Sequence, residues 1–289
     1  MTNILKAIKT IIAHPISDLV DHYHYQSKNR INQMGDALES FIKDVFADTV
    51  TESEPQKKLL RYSEVFSYTG NANNPPDLIL KNGDAVEVKK IESLGAGIAL
   101  NSSYPKSKLF SNSPLITAHC RNCEDWQEKD IVYAIGVAEG KKLKLLWLIY
   151  GDCYAADRET YERITETIAI GINDIPGVEF SETRELGRVN KVDPLNITYL
   201  RIRGMWGIQN PLSVFDYVDL GYQKRAKFQM IAILKKSKYL SMPLQDRIQL
   251  EAISDKNLQI IDVDIKSPNN PVQLIPAKVI KYKVEDNAR

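Results

Sequence analysis

Pro75-Pro76-Asp77-Leu78-Ile79-Leu80, Lys81-Asn82-Gly83-Asp84 and Ala85-Val86-Glu87-Val88-Lys89-Lys90-Ile91 read as two strands joined by a tight turn. Period-two alternation puts Glu87 and Lys89 on one face of the second strand and Val86 and Val88 on the other. A three-residue loop, Lys81-Asn82-Gly83 with Gly83 left-handed, pairs Leu80 with Asp84 and sets Asp77 opposite Glu87. A two-residue Asn82-Gly83 turn sets Asp77 opposite Val88 instead.

In the first register two carboxylates are neighbours, a repulsive arrangement that a divalent cation relieves. Asp, Glu and Lys in this order are the parts that metal-assisted phosphodiester hydrolysis requires. The carboxylates hold Mg²⁺, the ion acidifies a bound water, and the lysine orients or helps deprotonate that water. Carboxylate oxygens with retained waters suit Mg²⁺ better than Zn²⁺. An ordinary charged surface hairpin is the competing reading.

Outward from this hairpin, Ile4, Leu5, Ile8, Ile11 and Ile12 predict a short opening helix that stops at His14-Pro15. Ala37, Leu38, Phe41, Ile42, Val45 and Phe46 form one apolar stripe and predict a second helix from about Asn32 to Phe46. Strand-like runs follow at Glu64 to Tyr68, Asp77 to Leu80 and Ala85 to Ile91. After a polar loop from Asn101 to Lys108, the pattern predicts a helix from Pro114 to Gln127. Ile131 to Ala138 and Leu143 to Tyr150 form an apolar hairpin, and a helix from Arg158 to Ile170 closes the block. This order implies a mixed central β-sheet flanked by helices, an α/β (α+β) core over residues 1–170. Residues 171–289 carry seven prolines with basic and aromatic residues between them, and read as an elaboration packed on that core as one structural unit.

With 289 residues, 43% hydrophobic and 26% charged, the chain excludes disordered, collagen-like and coiled-coil classes. Three cysteines argue against a disulfide framework and point to the cytoplasm. The purest apolar run, Leu145 to Tyr150, is far short of the roughly 20 residues of a membrane helix, and the N-terminus lacks a signal-peptide core. Cys120 and Cys123 have a zinc-compatible spacing but no second paired motif, and His22 and His24 have no partner set.

Pro76-Asp77 and Glu87-Val88-Lys89 resemble the signature of the PD-(D/E)xK nuclease superfamily. Gly83 to Ile91, Ala99-Leu100-Asn101-Ser102-Ser103-Tyr104-Pro105-Lys106, Arg201-Ile202-Arg203-Gly204-Met205-Trp206 and Asn29 to Glu39 resemble the NgoPII type II restriction endonucleases. The resemblance spans most of the chain. It implies a homodimeric, Mg²⁺-dependent enzyme that cuts double-stranded DNA at a short palindrome, GGCC, alongside a cognate DNA methyltransferase that it does not stably bind. It also implies Asp77, Glu87 and Val88 at the metal, Lys89 as the catalytic lysine, and residues 1–170 as the nuclease core with DNA recognition in 171–289. Glu39 is matched to the acidic residue that many members add from the first core helix; a solvated helix charge is the alternative. A structure-directed repair or recombination nuclease and a non-cleaving sequence-specific DNA binder are the other readings.

Lys plus Arg total 38 against 37 for Asp plus Glu, so DNA must be met locally rather than by a global field. Between Arg184 and Trp206, five positives (Arg184, Arg188, Lys191, Arg201, Arg203) face two acids. From Tyr222 to Lys238 there are six positives and no acid. Arginine donates to guanine O6 and N7 in the major groove, which makes Arg201 and Arg203, on one strand face, the leading base readers. Asn101, Ser102, Ser103, Tyr104 and Lys106 follow the Glu87 strand closely enough to reach the backbone beside the scissile phosphate.

Overall fold

A computed structural model describes residues 1–23, 30–71, 74–175, 179–181 and 185–285. In chain order the N-terminal part runs α1 (Ile4–Ala13), α2 (Leu19–His22), α3 (Arg30–Ala47), α4 (Pro55–Val65), β1 (Phe66–Asn71), β2 (Asn74–Leu80) and β3 (Ala85–Ile91). The middle contains β4 (Ile98–Asn101), β5 (Lys108–Phe110), α5 (Ala118–Arg121), β6 (Glu128–Glu139), β7 (Lys142–Tyr150) and α6 (Arg158–Asn173). The remainder contains β8 (Glu179–Phe180), β9 (Gly187–Asn190), β10 (Leu200–Ile202), β11 (Trp206–Ile208), α7 (Pro211–Val214), β12 (Phe228–Lys235), α8 (Lys236–Ser241), α9 (Leu244–Glu251), β13 (Leu258–Lys266) and β14 (Leu274–Val284).

The fold is mixed α/β, built on one large sheet in the order β1-β2-β3-β6-β7-β12-β14-β13, with β5 also paired to β6. β3 runs parallel to β6 and β7 parallel to β12, and the other pairs are antiparallel. β6, β7 and β12 are apolar almost throughout because they lie in the middle of the sheet, where both faces are covered. Helix α3 packs on β3 and β6, with α1 and α4 against α3. Its stripe of Ala37, Leu38, Phe41, Ile42 and Val45 is fully buried there, as are Ile4, Leu5, Ile8 and Ile11 of α1. The buried Asp44 carboxylate accepts hydrogen bonds from Tyr23, Thr49, Lys58 and Tyr62, tying α2, α3 and α4 together.

Residues beyond 171 contribute in two ways. β12, β14 and β13 extend the central sheet, and β8, β9 and β10 form a separate three-stranded sheet. β11 pairs with β4, which brings Trp206 alongside Asn101.

Three local expectations are corrected. The helix expected over Pro114–Gln127 is confined to Ala118–Arg121, capped by the Thr117 side chain. Asn122 and Asp125 are poor helix formers, and the Arg121 guanidinium instead binds the Ser111 and Ser113 carbonyls, bracing a loop. The strand expected from Glu64 begins at Phe66, because Glu64 and Val65 end α4. That helix escapes the apolar-stripe test, since Leu59 and Leu60 point to solvent. In the β2–β3 turn the left-handed residue is Asn82 (φ 53°), not Gly83. Asparagine tolerates that conformation through its short polar side chain.

Candidate active site

The β2–β3 register decides the geometry. Leu78 pairs with Val86 and Ile79 with Ala85, and the Leu80 N–H donates to the Asp84 carbonyl (3.0 Å). This is the three-residue-loop register, and carried one pair further it sets Asp77 opposite Glu87. There the strands part, and the Asp77 carboxylate (Oδ2) accepts a hydrogen bond from the Val88 N–H at 2.6 Å. Gly70 permits the close pass of β1 at this point, since a Cβ on it would stand 2.5 Å from the Pro76 carbonyl oxygen.

Glu87 is buried, and its Oε1 accepts from the Lys89 ammonium at 2.6 Å. Its Oε2 is buried with no hydrogen-bond partner. A buried carboxylate oxygen without a partner is costly, so Glu87 Oε2 is free to accept a further one. Burial, and then the Glu87 charge, push the Asp77 carboxyl up to about 7, against the pull of Lys89 and the Val88 N–H. Burial lowers the Lys89 ammonium, but Glu87, Asp77 and Glu39 outweigh it and hold the pKa above its usual value. Glu39 therefore stands within electrostatic reach of Asp77 and Lys89, although its own close partner is Lys43 at 2.7 Å.

Among the described residues no group of three or more His, Cys, Asp or Glu closes into a ready-made metal cage. Two carboxylates are still a fitting donor set for Mg²⁺, which keeps several waters. A cation there would satisfy Glu87 Oε2 and remove the Asp77–Glu87 repulsion. Val88 can offer only its backbone carbonyl.

β4 touches β3, and Lys106 of the loop that follows β4 lies within electrostatic reach of Glu87 and Lys89. Asn101 is exposed and left-handed (φ 53°), and Ser102 is exposed. The Tyr104 hydroxyl donates to Glu162 (2.9 Å), and its ring stacks on Tyr161 with centroids 5.5 Å apart. Trp206 meets both rings edge-on at 6.3 and 5.6 Å. Ser103 accepts from the buried Lys106 ammonium. A cavity of about 260 Å³ opens here, lined by Ser102, Tyr104, Glu162, Glu185, Arg203 and Trp206. The structure thus unites the 101–106 and 201–206 segments, which lie a hundred residues apart in the chain.

The expected DNA readers are not free cations. Arg201 donates to Glu185 through Nε (2.9 Å) and Nη2 (2.5 Å), and Arg203 donates to the same carboxylate. β10 ends at Ile202, so Arg203 follows the strand rather than sharing it, yet the common acid keeps both guanidinium groups on one side. Arg188 lies 4.6 Å over the Tyr199 ring with its Nε buried and unpaired, and Lys191 pairs with Glu179 at 2.5 Å. Arg184 lies outside the described residues. Glu185 is the residue that sequence reading missed. In a charge count it only subtracts from the basic segment, and nothing in its spacing shows that it gathers two arginines.

The sequence model of the NgoPII restriction endonuclease family matches residues 2–266. The chain belongs to the NgoPII restriction endonuclease family. It is 49% identical over 283 residues to the type II restriction enzyme NgoPII of Neisseria gonorrhoeae, covering 97% of this chain and 99% of that protein. No solved structure matches it. As an NgoPII-family member the chain is a type II restriction enzyme, and no helix among its described residues is long and apolar enough to cross a membrane.

Proposed function

We propose that this chain is a Mg²⁺-dependent endonuclease that cuts both strands of DNA at the palindrome GGCC, acting in the cytoplasm beside a cognate methyltransferase. The observation that carries the reading is the Asp77–Glu87–Lys89 group on adjacent strands, with its orphaned Glu87 oxygen. Asp77, Glu87 and the Val88 carbonyl would hold the ion, which supplies charge neutralisation and an acidified water. Lys89, held charged by Glu87, orients that water toward the phosphorus. Glu39 adds negative charge at the edge of the site. Hydrolysis leaves 5′-phosphate and 3′-hydroxyl ends. Asn101, Ser102, Ser103, Tyr104 and Lys106 meet the backbone, and Arg184, Arg188, Lys191, Arg201 and Arg203 of the 171–289 elaboration carry recognition. Glu185 pre-aligns Arg201 and Arg203, which exchange it for guanine edges or phosphates.

Digestion of a fully sequenced plasmid with Mg²⁺ or EDTA, with every end mapped, tests this reading. Discrete Mg²⁺-dependent ends at GGCC are expected. Ends at another palindrome would discard the assigned site, ends at branches would favour a repair nuclease, and tight binding without cutting would favour the non-cleaving binder.

A palindrome has two-fold symmetry, so the reading includes a homodimer. Helix α6 supports it, because none of its residues is buried and Ile164, Ile168 and Ile170 stand exposed. It packs against β9, whose connection to β10 exposes Val192, Leu195 and Ile197; Leu200, which opens β10, is exposed too, and Ile175 lies just beyond α6. At these exposures such side chains leave on the order of 100 Å² each, apolar surface that a second copy of the chain would cover in part. The expected result in sedimentation velocity is a dimer for the parent protein and a monomer for Ile164→Asp/Ile168→Asp. A parent protein that sediments as a monomer in the presence of its DNA site would refute the dimer.

A further inference from the structure

Lys106 is a buried ammonium with no acid of its own. The residue is 6% exposed, and among the described residues no carboxylate lies within 4.0 Å of its nitrogen. Its Nζ donates to Ser103 Oγ and to the Tyr104 carbonyl (3.3 Å), 5.2 Å over the Tyr104 ring. An ammonium has three N–H donors, so one is left over.

A buried, uncompensated charge is costly, and packed apolar residues usually replace one at no loss of stability. The surrounding backbone is nevertheless built to keep this residue in place. The Lys106 N–H donates to the Tyr133 hydroxyl at 2.7 Å. On the other side Gly151 lets the chain pass, since a Cβ there would stand 2.2 Å from the Lys106 carbonyl oxygen. Tyr133 is the register partner of Glu87 on the neighbouring parallel strand, so the two side chains share a face of the sheet, the face that also carries Lys89. Burial brings the Lys106 ammonium down to about 8, with Glu87 pulling it up and Lys89 pushing it further down, which places it in the field of the catalytic group.

We infer that Lys106 is a second catalytic lysine, whose free N–H donates to a non-bridging oxygen of the phosphodiester held at the Asp77–Glu87–Lys89 site. The inference rests on the active-site reading above and goes beyond a backbone contact, because it assigns Lys106 to the scissile phosphate itself. The ligand chemistry is that of a phosphodiester monoanion, the counter-charge that this buried cation lacks. As the water oxygen bonds to phosphorus, the P–O3′ bond breaks and its electron pair goes to O3′. The water releases a proton to solvent and O3′ takes one up. Lys106 keeps its proton throughout and stabilises charge gathering on the non-bridging oxygen.

The test is single-turnover cleavage, at saturating enzyme, of an oligonucleotide duplex carrying the mapped cut site, with either phosphorothioate diastereomer at the scissile position. Lys106→Met is expected to lower the rate about 100-fold while duplex affinity in Ca²⁺ falls less than about tenfold and the melting temperature holds or rises. Lys106→Arg is expected to recover part of the rate. One diastereomer is expected to slow the parent enzyme much more than it slows Lys106→Met. Cleavage by Lys106→Met within about threefold of the parent, or an unchanged diastereomer effect, overturns the inference. If Lys106→Met fails to fold, the diastereomer comparison in Lys106→Gln decides the matter: an effect equal to the parent's refutes the inference, and a reduced one supports it. Normal cutting by Asp77→Ala and Lys89→Ala would instead overturn the active-site reading, separately from Lys106.

Discussion

Alanine at Asp77 or at Lys89 is expected to lower the rate of DNA cleavage by about 10³-fold or more, while both variants remain folded. The two should fail for different reasons. If Asp77 supplies a carboxylate to the ion, as proposed, Asp77→Ala should lose Mn²⁺ binding in calorimetry together with cutting. If Lys89 acts on the water instead, Lys89→Ala should bind Mn²⁺ at least as well as the parent, because its departure removes a competitor that now sits 2.6 Å from Glu87 Oε1. Glu39→Gln should cost far less, about tenfold, because Glu39 reaches the site only through its charge. Cutting by Lys89→Ala at the parent rate would remove the catalytic lysine from the scheme, and metal binding by Asp77→Ala at parent affinity would remove the ligand.

The second large effect concerns stability. A carboxyl raised to about 7 in the folded chain holds its proton more tightly there than in the unfolded chain, where the usual value near 4 applies. Below pH 4 both states are protonated and nothing is lost. Between pH 4 and pH 7 the unfolded chain ionises first, so stability falls, and above pH 7 the cost is constant. Asp77→Asn removes that cost while keeping an acceptor for the Val88 N–H. In EDTA at pH 8 the variant is therefore expected to be more stable by about 2 kcal/mol, less than the full shift implies because Asp77 is partly open to water. That corresponds to a melting temperature higher by roughly 4 °C. The gap should widen from pH 5 to pH 7 and then level off, and a gap independent of pH would contradict the geometry. For the same reason Mn²⁺ affinity of the parent should rise steeply from pH 6 to pH 7.5, as the metal displaces the Asp77 proton.

Much of this site was legible because it is local. Asp77, Glu87 and Lys89 lie on two strands joined by one turn, and period-two alternation with a loop length suffices to place them; only the residue that takes the positive φ was assigned to the wrong side of Asn82-Gly83. The apolar runs of β6 and β7 were equally plain, since residues 131–138 carry no charge and residues 143–150 only Lys144. What escaped was set at long range or by weak patterning. Helix α4 has no buried stripe along most of its length to announce it. The 114–127 segment has helical periodicity but is held as a loop by the Arg121 side chain. The pairing of β4 with β11, which gathers Tyr104, Tyr161 and Trp206, joins segments with no pattern in common. The clamp of Arg201 and Arg203 on Glu185 is a matter of side-chain reach that a charge count does not contain.

The order of strands in the central sheet has a consequence for synthesis. β7, apolar along nearly its whole length, is completed on its outer edge only by β12, some eighty residues later, and β12 is in turn covered by β14. While the ribosome is still making residues 151–227, that edge has no partner, and its bare N–H and C=O groups are a template for intermolecular pairing. A chain released before Phe228 would therefore carry the whole Asp77–Glu87–Lys89 hairpin on an unfinished sheet prone to aggregation. The sheet that carries Asp77, Glu87 and Lys89 is therefore completed only once the C-terminal strands have been made.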